Sequence, residues 1–179
     1  NILQYLGIHY IDIIQFITGG IPKRVMAMGQ KNWLKNNYGL DVYDALQCMI
    51  EWEMPNNTRF NQTLLTNWID PEKTSAMSDQ KLKFVGTKGR FDADQKERGI
   101  SLIVDGENLE TPNPDFCRSY GTPDKQICWQ GYGIESIVTF MQDVDDIISG
   151  KKTPDSLEGK RPTFKDAVVS TAVIETAVK

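Results

Sequence analysis

The chain has 179 residues, enough for a single domain of ordinary size, and its 40% hydrophobic and 25% charged residues exclude disorder and collagen-like repeats. Lys and Arg number 20 against 24 Asp and Glu, for a net charge of -4; without a basic stripe such a chain is a poor nucleic-acid ligand, because neutralising phosphates needs clustered cations. No stretch reaches the roughly 18 consecutive apolar residues of a membrane span, and three cysteines without Cys-x-x-Cys spacing point away from a disulfide framework or zinc knot and toward a reducing cytoplasm.

The chain opens at Asn1 without a signal peptide and is within a few residues inside a periodic helix, which leads to the expectation that an upstream part is missing. The first helix is predicted over Ile2 to Thr18. Leu6, Tyr10, Ile13, Ile14 and Ile17 form one apolar stripe at a period of 3.6, and Gly19-Gly20 followed by Pro22 supplies the stop. Arg24 to Gln30 reads as a strand. Asp44 to Glu53 alternates, with Leu46, Cys48, Ile50 and Trp52 on one side. Pro55-Asn56-Asn57 is a turn, and Arg59 to Trp68 returns as the second hairpin strand. Lys81 to Val85 and Arg90 to Asp94 flank Gly86-Thr87-Lys88-Gly89, and Ile100 to Val104 adds one more strand.

Glu107 to Gln130 is rich in Pro, Asn and Asp and is expected to be an irregular loop with a functional or contact role. Two helices close the chain. The first carries an apolar stripe of Ile134, Ile137, Val138, Met141, Val144 and Ile148 and ends at Ser149-Gly150-Lys151-Lys152; the second follows the capping pattern Thr163-Phe164-Lys165-Asp166. The predicted fold class is α+β: an open, mainly antiparallel sheet of about six strands with helices packed on one face. Met26, Met28, Met49 and Leu65 can fall on either sheet face. An open face carrying them would need a partner, such as a second copy of the sheet.

The sharpest chemical feature is His9, the one histidine of the chain, with Tyr5 four residues before it and Asp12 three after. Those spacings put all three on one helix stripe. Imidazole is the usual mover of protons near neutral pH, and a phenol and a carboxylate beside it can fix its tautomer and orient a substrate hydroxyl. The same stripe also describes a boundary histidine tied to Asp12 for stability. Lys31, Trp33 and Lys35 can reach a substrate or belong to a solvated loop. Arg59, Asn61 and Asn67 share a parity and can line a polar sheet face. Asp94-Gln95-Lys96-Glu97-Arg98-Gly99 reads as a solvated charged turn. Cys117 and Cys128 lack nearby His or Cys and read as simple thiols, so no metal site is expected. Gly131-Tyr132-Gly133 precedes a helix, but no strand is expected to lead into it and the third glycine is absent.

Gly7-Ile8-His9-Tyr10-Ile11-Asp12, the apolar helix around it, Gly19-Gly20 and Pro22-Lys23-Arg24-Val25 resemble the Gly-x-His-x-x-Asp segment of the glucose–fructose oxidoreductase, inositol dehydrogenase and rhizopine-catabolism (Gfo/Idh/MocA) family. Phe84-Val85-Gly86-Thr87-Lys88-Gly89-Arg90-Phe91 resembles its Gly-Thr-x-Gly hairpin, and Arg161-Pro162, Ala167 and Ile174-Glu175-Thr176-Ala177 its C-terminal helix. The resemblance implies that residues 1–179 are the substrate-binding and oligomerisation domain, of the dihydrodipicolinate-reductase-like C-terminal type. The N-terminal Rossmann domain, which binds NAD or NADP, is absent, as is the Glu-Lys-Pro segment whose lysine works beside the histidine. It further implies hydride exchange with a sugar, sugar derivative or cyclitol, a homo-oligomer joined through the open sheet face, His9 as general acid/base, and Tyr5 and Asp12 as substrate contacts. Tyr5 stands where many members carry Asp or Asn. No cofactor-binding residue is expected in this chain, and the fragment alone is expected to be inactive. A non-catalytic ligand-binding or assembly module is the rival reading.

Overall fold

The computed structural model describes residues 1–71, 73, 78–96, 99–111 and 117–179. In chain order the elements are a π-helical turn (Leu3–Gly7), α1 (Ile8–Thr18), β1 (Ile21–Gln30), α2 (Trp33–Tyr38), β2 (Ala45–Glu53), β3 (Arg59–Asn67), β4 (Lys81–Gly86), β5 (Gly89–Asp94), β6 (Gly99–Val104), β7 (Cys117–Gly121), β8 (Ile127–Gly131), α3 (Tyr132–Ile148), a 3-10 turn (Pro154–Leu157) and α4 (Ala167–Ala177). They divide between two compact units, residues 1–72 with 159–179 and residues 73–158.

The α+β class is the one expected from the sequence, but the strands do not form one open sheet of six. Those described make three antiparallel sheets, in the orders β1-β2-β3, β4-β5-β6 and β7-β8. The chain leaves the first unit between β3 and β4, so the two meanders share no ladder. The β7-β8 hairpin lies in the segment expected to be irregular. Its turn closes through Thr122, whose N–H donates to the Gln126 carbonyl at 2.9 Å, with Lys125 at φ 62°. Residues 112–116 of that loop, and Glu97 and Arg98 of the charged turn, lie outside the described residues.

In the first unit β2 is the central strand. Its alternation holds: Leu46, Cys48, Ile50 and Trp52 are all buried, against α1 and α4 on one side of the sheet. Each such large apolar side chain contributes about 1.5–3 kcal/mol on burial. Trp52 stacks nearly parallel to Phe60 of β3, ring centroids 6.3 Å apart. The registers Met26↔Met49↔Thr63 and Met28↔Gln47↔Leu65 place Met26, Met28, Met49 and Leu65 together on the outer face, where all four are exposed. Asn57, at φ 62°, makes the predicted hairpin turn.

The first helix begins as a π-helical turn and continues as α1, ending at Gly19 in the left-handed region. Its buried side is Leu3, Gly7, Ile11 and Ile14, which shares only Ile14 with the predicted stripe; Ile13 and Ile17 are exposed. The segment carries apolar residues on several sides, so its pattern does not single out the side that packs. Gly7 sits where this helix meets β3. A Cβ there would lie 2.6 Å from Leu3 Cδ1 and 3.4 Å from Thr66 Cγ2, so a larger residue would require the Leu3 side chain to move. At the other end, α4 starts after a turn in which the Thr163 N–H and hydroxyl both donate to Asp166 Oδ2, at 2.7 and 2.8 Å. The Thr163–Asp166 pair thus closes a turn ahead of the helix and does not cap it: α4 begins only at Ala167, with no side-chain cap bond at its N-cap Asp166.

In the second unit, α3 departs from its predicted stripe. Ile137, Val138, Met141 and Ile148 are exposed, whereas Asp143 and Asp146 are buried. The chain after the helix covers the two carboxylates. Lys152 folds back to bring Nζ 3.1 Å from Asp143 Oδ1 and 2.8 Å from Asp146 Oδ2, and the Lys151 and Lys152 N–H groups both donate to the Asp146 carbonyl. The Lys152 hydrogen bond holds the Asp146 carboxyl below its ordinary range.

Candidate active site

Tyr5, His9 and Asp12 lie on the side of the first helix that faces away from the sheet, and all three are exposed. Placement on one stripe is what their spacing predicts. Among the described residues no hydrogen bond or ion pair engages His9, and none joins it to Tyr5 or Asp12. The tie to Asp12 that a purely stabilising histidine would make is therefore not formed. The imidazole is left with both nitrogens available to a ligand.

Two features hold this stripe in place. Gln62 of β3 is buried between the sheet and the helix. Its Oε1 accepts from Trp52 Nε1 at 3.0 Å, and its Nε2 donates to the Tyr10 carbonyl at 2.8 Å. The Tyr10–Ile11 peptide, next but one after His9, is thus pinned to the sheet by a side chain whose polar ends are both satisfied. Further along, Trp68 continues the parity of Gln62, Leu64 and Thr66, so its ring falls on the helix side. There it meets Tyr5, with ring centroids 5.6 Å apart and planes 32° from parallel. The Trp68 N–H donates to the Asp44 carbonyl at 2.8 Å, extending the ladder by one bond.

Asp44 anchors the next segment. Its side chain is fully buried and accepts from the N–H groups of Asn32, Trp33 and Leu34 at 2.7, 2.7 and 2.9 Å. Burial alone would raise the carboxyl pKa, but the three backbone donors outweigh it and hold the group below its ordinary value. Sequence reasoning missed Asp44, Gln62 and Trp68 as positioning groups. A polar residue at inward parity among Phe60, Leu64 and Thr66 was the available signal for Gln62. Nothing local marks Asp44, whose partners lie 10 to 12 residues away.

The weaker candidates separate from the stripe. Lys31 and Lys35 both pair with Asp41, at 3.0 and 3.6 Å, and Trp33 packs edge-on against Tyr38. The expected loop is instead the short helix α2, closed on itself. Arg59 pairs with Glu53 at 2.9 Å on the outer sheet face and shares that strand's outward parity with Asn61 and Asn67. Cys128 faces Tyr120 across the β7-β8 pair and Cys117 faces Gly131, so the two thiols sit about 10 Å apart along the hairpin on opposite faces. Burial pushes the Cys48 thiol up. Among the described residues no group of His, Cys, Asp and Glu is gathered to hold a metal ion, and no helix is long and apolar enough to cross a membrane.

Residues 1–92 match the C-terminal domain of the Gfo/Idh/MocA family. The chain belongs to that family. A search of curated proteins finds no match. Among solved structures, an oxidoreductase from Sinorhizobium meliloti superposes with a TM-score of 0.66 at 17% identity, over 98% of this chain and 49% of its own. UDP-N-acetylglucosamine 3-dehydrogenase from Acidithiobacillus ferrooxidans gives 0.52 at 14% identity, over 96% of this chain and 44% of its own. At these identities the likeness is one of fold. The chain spans about half the length of the structures it matches.

The Gfo/Idh/MocA family implies a nicotinamide dinucleotide, whose phosphates need a glycine-rich turn between a parallel strand and a helix. Gly131-Tyr132-Gly133 is entered by β8, contrary to the expectation that no strand leads into it. That strand belongs to a two-stranded antiparallel hairpin, however, and Glu135 stands in the first turn of α3, where a phosphate would meet like charge. The described residues do not fit the dinucleotide.

Proposed function

We propose that this chain is the substrate-binding and oligomer-forming domain of an NAD- or NADP-dependent oxidoreductase that acts on a hydroxyl or carbonyl of a sugar, sugar derivative or cyclitol. The observation that carries the reading is the exposed His9, free of partners among the described residues, on one helix stripe with Tyr5 and Asp12. When bound by the complementary half of the enzyme, a nicotinamide supplies the hydride acceptor or donor. His9 takes the proton of the substrate hydroxyl as the carbinol is oxidised and returns it in the reverse direction. Asp12 and Tyr5, one turn to either side, contact the substrate and orient it. The dehydrogenase among the structural neighbours acts, by its name, on an amino-sugar nucleotide, which agrees with this substrate class.

The partner proposed for the outer sheet face is a second copy of the chain. Met26, Met28, Met49 and Leu65 form its exposed apolar part, flanked by the Arg24–Glu51 and Lys23–Glu53 ion pairs. The working compartment of the enzyme is the cytoplasm. The reading is tested in the full-length protein by following nicotinamide absorbance against a panel of sugars and cyclitols, with and without His9→Ala. General acid/base loss predicts a fall in kcat of about 10²–10⁴-fold. Normal turnover by His9→Ala would refute the assignment, and so would a full-length protein that binds sugar but never changes the nicotinamide signal.

A further inference from the structure

We propose that Tyr5 and Trp68 together form an aromatic platform that takes the C–H face of a saturated six-membered polyol ring and sets its hydroxylated edge against His9. The inference rests on the catalytic reading of His9 and extends it to the shape of the substrate. Tyr5 is 67% exposed and Trp68 41%, although both are large aromatics, and their rings contact each other at 5.6 Å in a tilted stack. The backbone under both rings is held. Tyr5 sits in the π turn whose Leu3 and Gly7 are buried, and its N–H donates to the Asn1 carbonyl at 3.1 Å. The Trp68 backbone is bound to Asp44, which is itself locked by three N–H donors.

An aromatic pair offers contact area at low entropic cost, since each ring has only two side-chain torsions to fix. Its π faces carry negative potential and favour the weakly positive C–H bonds of a polyol ring. Along the helix the chemistry changes in order from aromatic surface to imidazole to carboxylate. Successive groups are one turn apart, about 5–6 Å between Cβ atoms. That is about the reach of a six-membered ring stacked on Tyr5 with an edge hydroxyl extended toward His9; Asp12, a further turn along, is reached by the far edge of a ring offset toward the imidazole. An acyclic polyol has no continuous C–H face to stack. A nucleobase has the face but not the row of hydroxyls that Asp12 would accept. In this arrangement Tyr5 acts through its ring and not its hydroxyl, which explains how it can stand where the family often carries an acidic residue or its amide.

The test is ligand binding to the full-length protein with its cofactor, by saturation-transfer NMR and calorimetry. The probes are methyl β-D-glucopyranoside, N-acetylglucosamine, myo-inositol, sorbitol and uridine. A pyranoside or myo-inositol should bind more tightly than sorbitol, with saturation concentrated on the C–H protons of one ring face; which of them binds separates a sugar from a cyclitol. Tyr5→Ala and Trp68→Ala should each weaken that binding roughly 3- to 10-fold. Tyr5→Phe should stay within about twofold, because the ring is kept. Because Tyr5 is exposed, its variants test the platform even where Trp68→Ala disturbs folding. The platform is overturned if no cyclic polyol binds, if sorbitol or uridine binds as well, if Tyr5→Ala changes nothing, or if Tyr5→Phe is as damaging as Tyr5→Ala. His9→Ala separates the two claims. Turnover retained in that variant, with the ring variants still weakening binding, removes the catalytic reading alone. Turnover lost, with the ring variants silent, removes the platform alone.

Discussion

Replacing Gln62 with leucine removes the bridge between the sheet and the helix that presents His9. Trp52 is fully buried, so Gln62→Leu leaves its indole N–H without an acceptor where no water reaches it. That costs about 1–3 kcal/mol. The Tyr10 carbonyl loses the amide donor at 2.8 Å but keeps a second lone pair for the helix, a loss of about 0.5–1 kcal/mol. The added apolar surface of leucine returns about 1 kcal/mol. The net destabilisation is about 2 kcal/mol, which lowers the urea midpoint by about 1 M at an ordinary m-value. Equilibrium unfolding followed by tryptophan fluorescence reads this shift. A cycle with Trp52→Phe isolates the bond, because Gln62→Leu should cost less than about 1 kcal/mol once the indole N–H is gone. A midpoint shift below about 0.3 M, or a cycle additive within about 0.5 kcal/mol, would refute the bridge.

Two other outcomes follow from the same geometry. Asp44 has a folded-state carboxyl pKa below its unfolded value of about 3.9, so its contribution is full above that pH and is lost as pH falls through the lowered folded value. Asp44→Asn should therefore be less stable than the parent at pH 7, with the gap closing below about pH 4 in thermal melts; a gap independent of pH would contradict the three-donor account. On the outer sheet face, Met28→Asp combined with Leu65→Asp places two charges on opposite strands of the exposed apolar patch. Light scattering should show a smaller assembly with the melting temperature little changed, and an unaltered mass would exclude this face as the interface.

The sequence carried what is local and periodic. Strand alternation identified Leu46, Cys48, Ile50 and Trp52 as one face because a strand has period 2 and one side is packed against helices. Gly19 and Pro22 marked the end of α1 because glycine alone takes the left-handed cap without strain. Two things were hidden. The first helix is apolar on several sides, and its own pattern does not choose between Ile11 with Ile14, which face the sheet, and Ile13 with Ile17, which do not. Long-range polar partners were equally silent. Lys152 makes Asp143 and Asp146 inward residues of α3, and Asp44 makes an expected loop into α2; each reversal depends on a contact that lies off the element's own period. The stripe of Tyr5, His9 and Asp12 survived because it needs only the helix to exist. Its aromatic neighbour Trp68 did not emerge, since the contact depends on how that helix lies across β3.

The Gly-x-His spacing has a physical reason in this arrangement. Two residues turn an α-helix by about 200°, so a residue facing the sheet at one position puts the residue two further on nearly opposite. Gly7 lies against Leu3 and Thr66 on the sheet side, and one turn on Gln62 reaches the Tyr10 carbonyl from the sheet. His9 is turned outward by the same geometry. A Cβ at position 7 would displace the Leu3 side chain first, and so would act on the helix–sheet packing that stands behind His9. The glycine and the histidine are thus two ends of one constraint: the inward position sets how near the helix sits, and that distance sets where the imidazole stands relative to the aromatic pair.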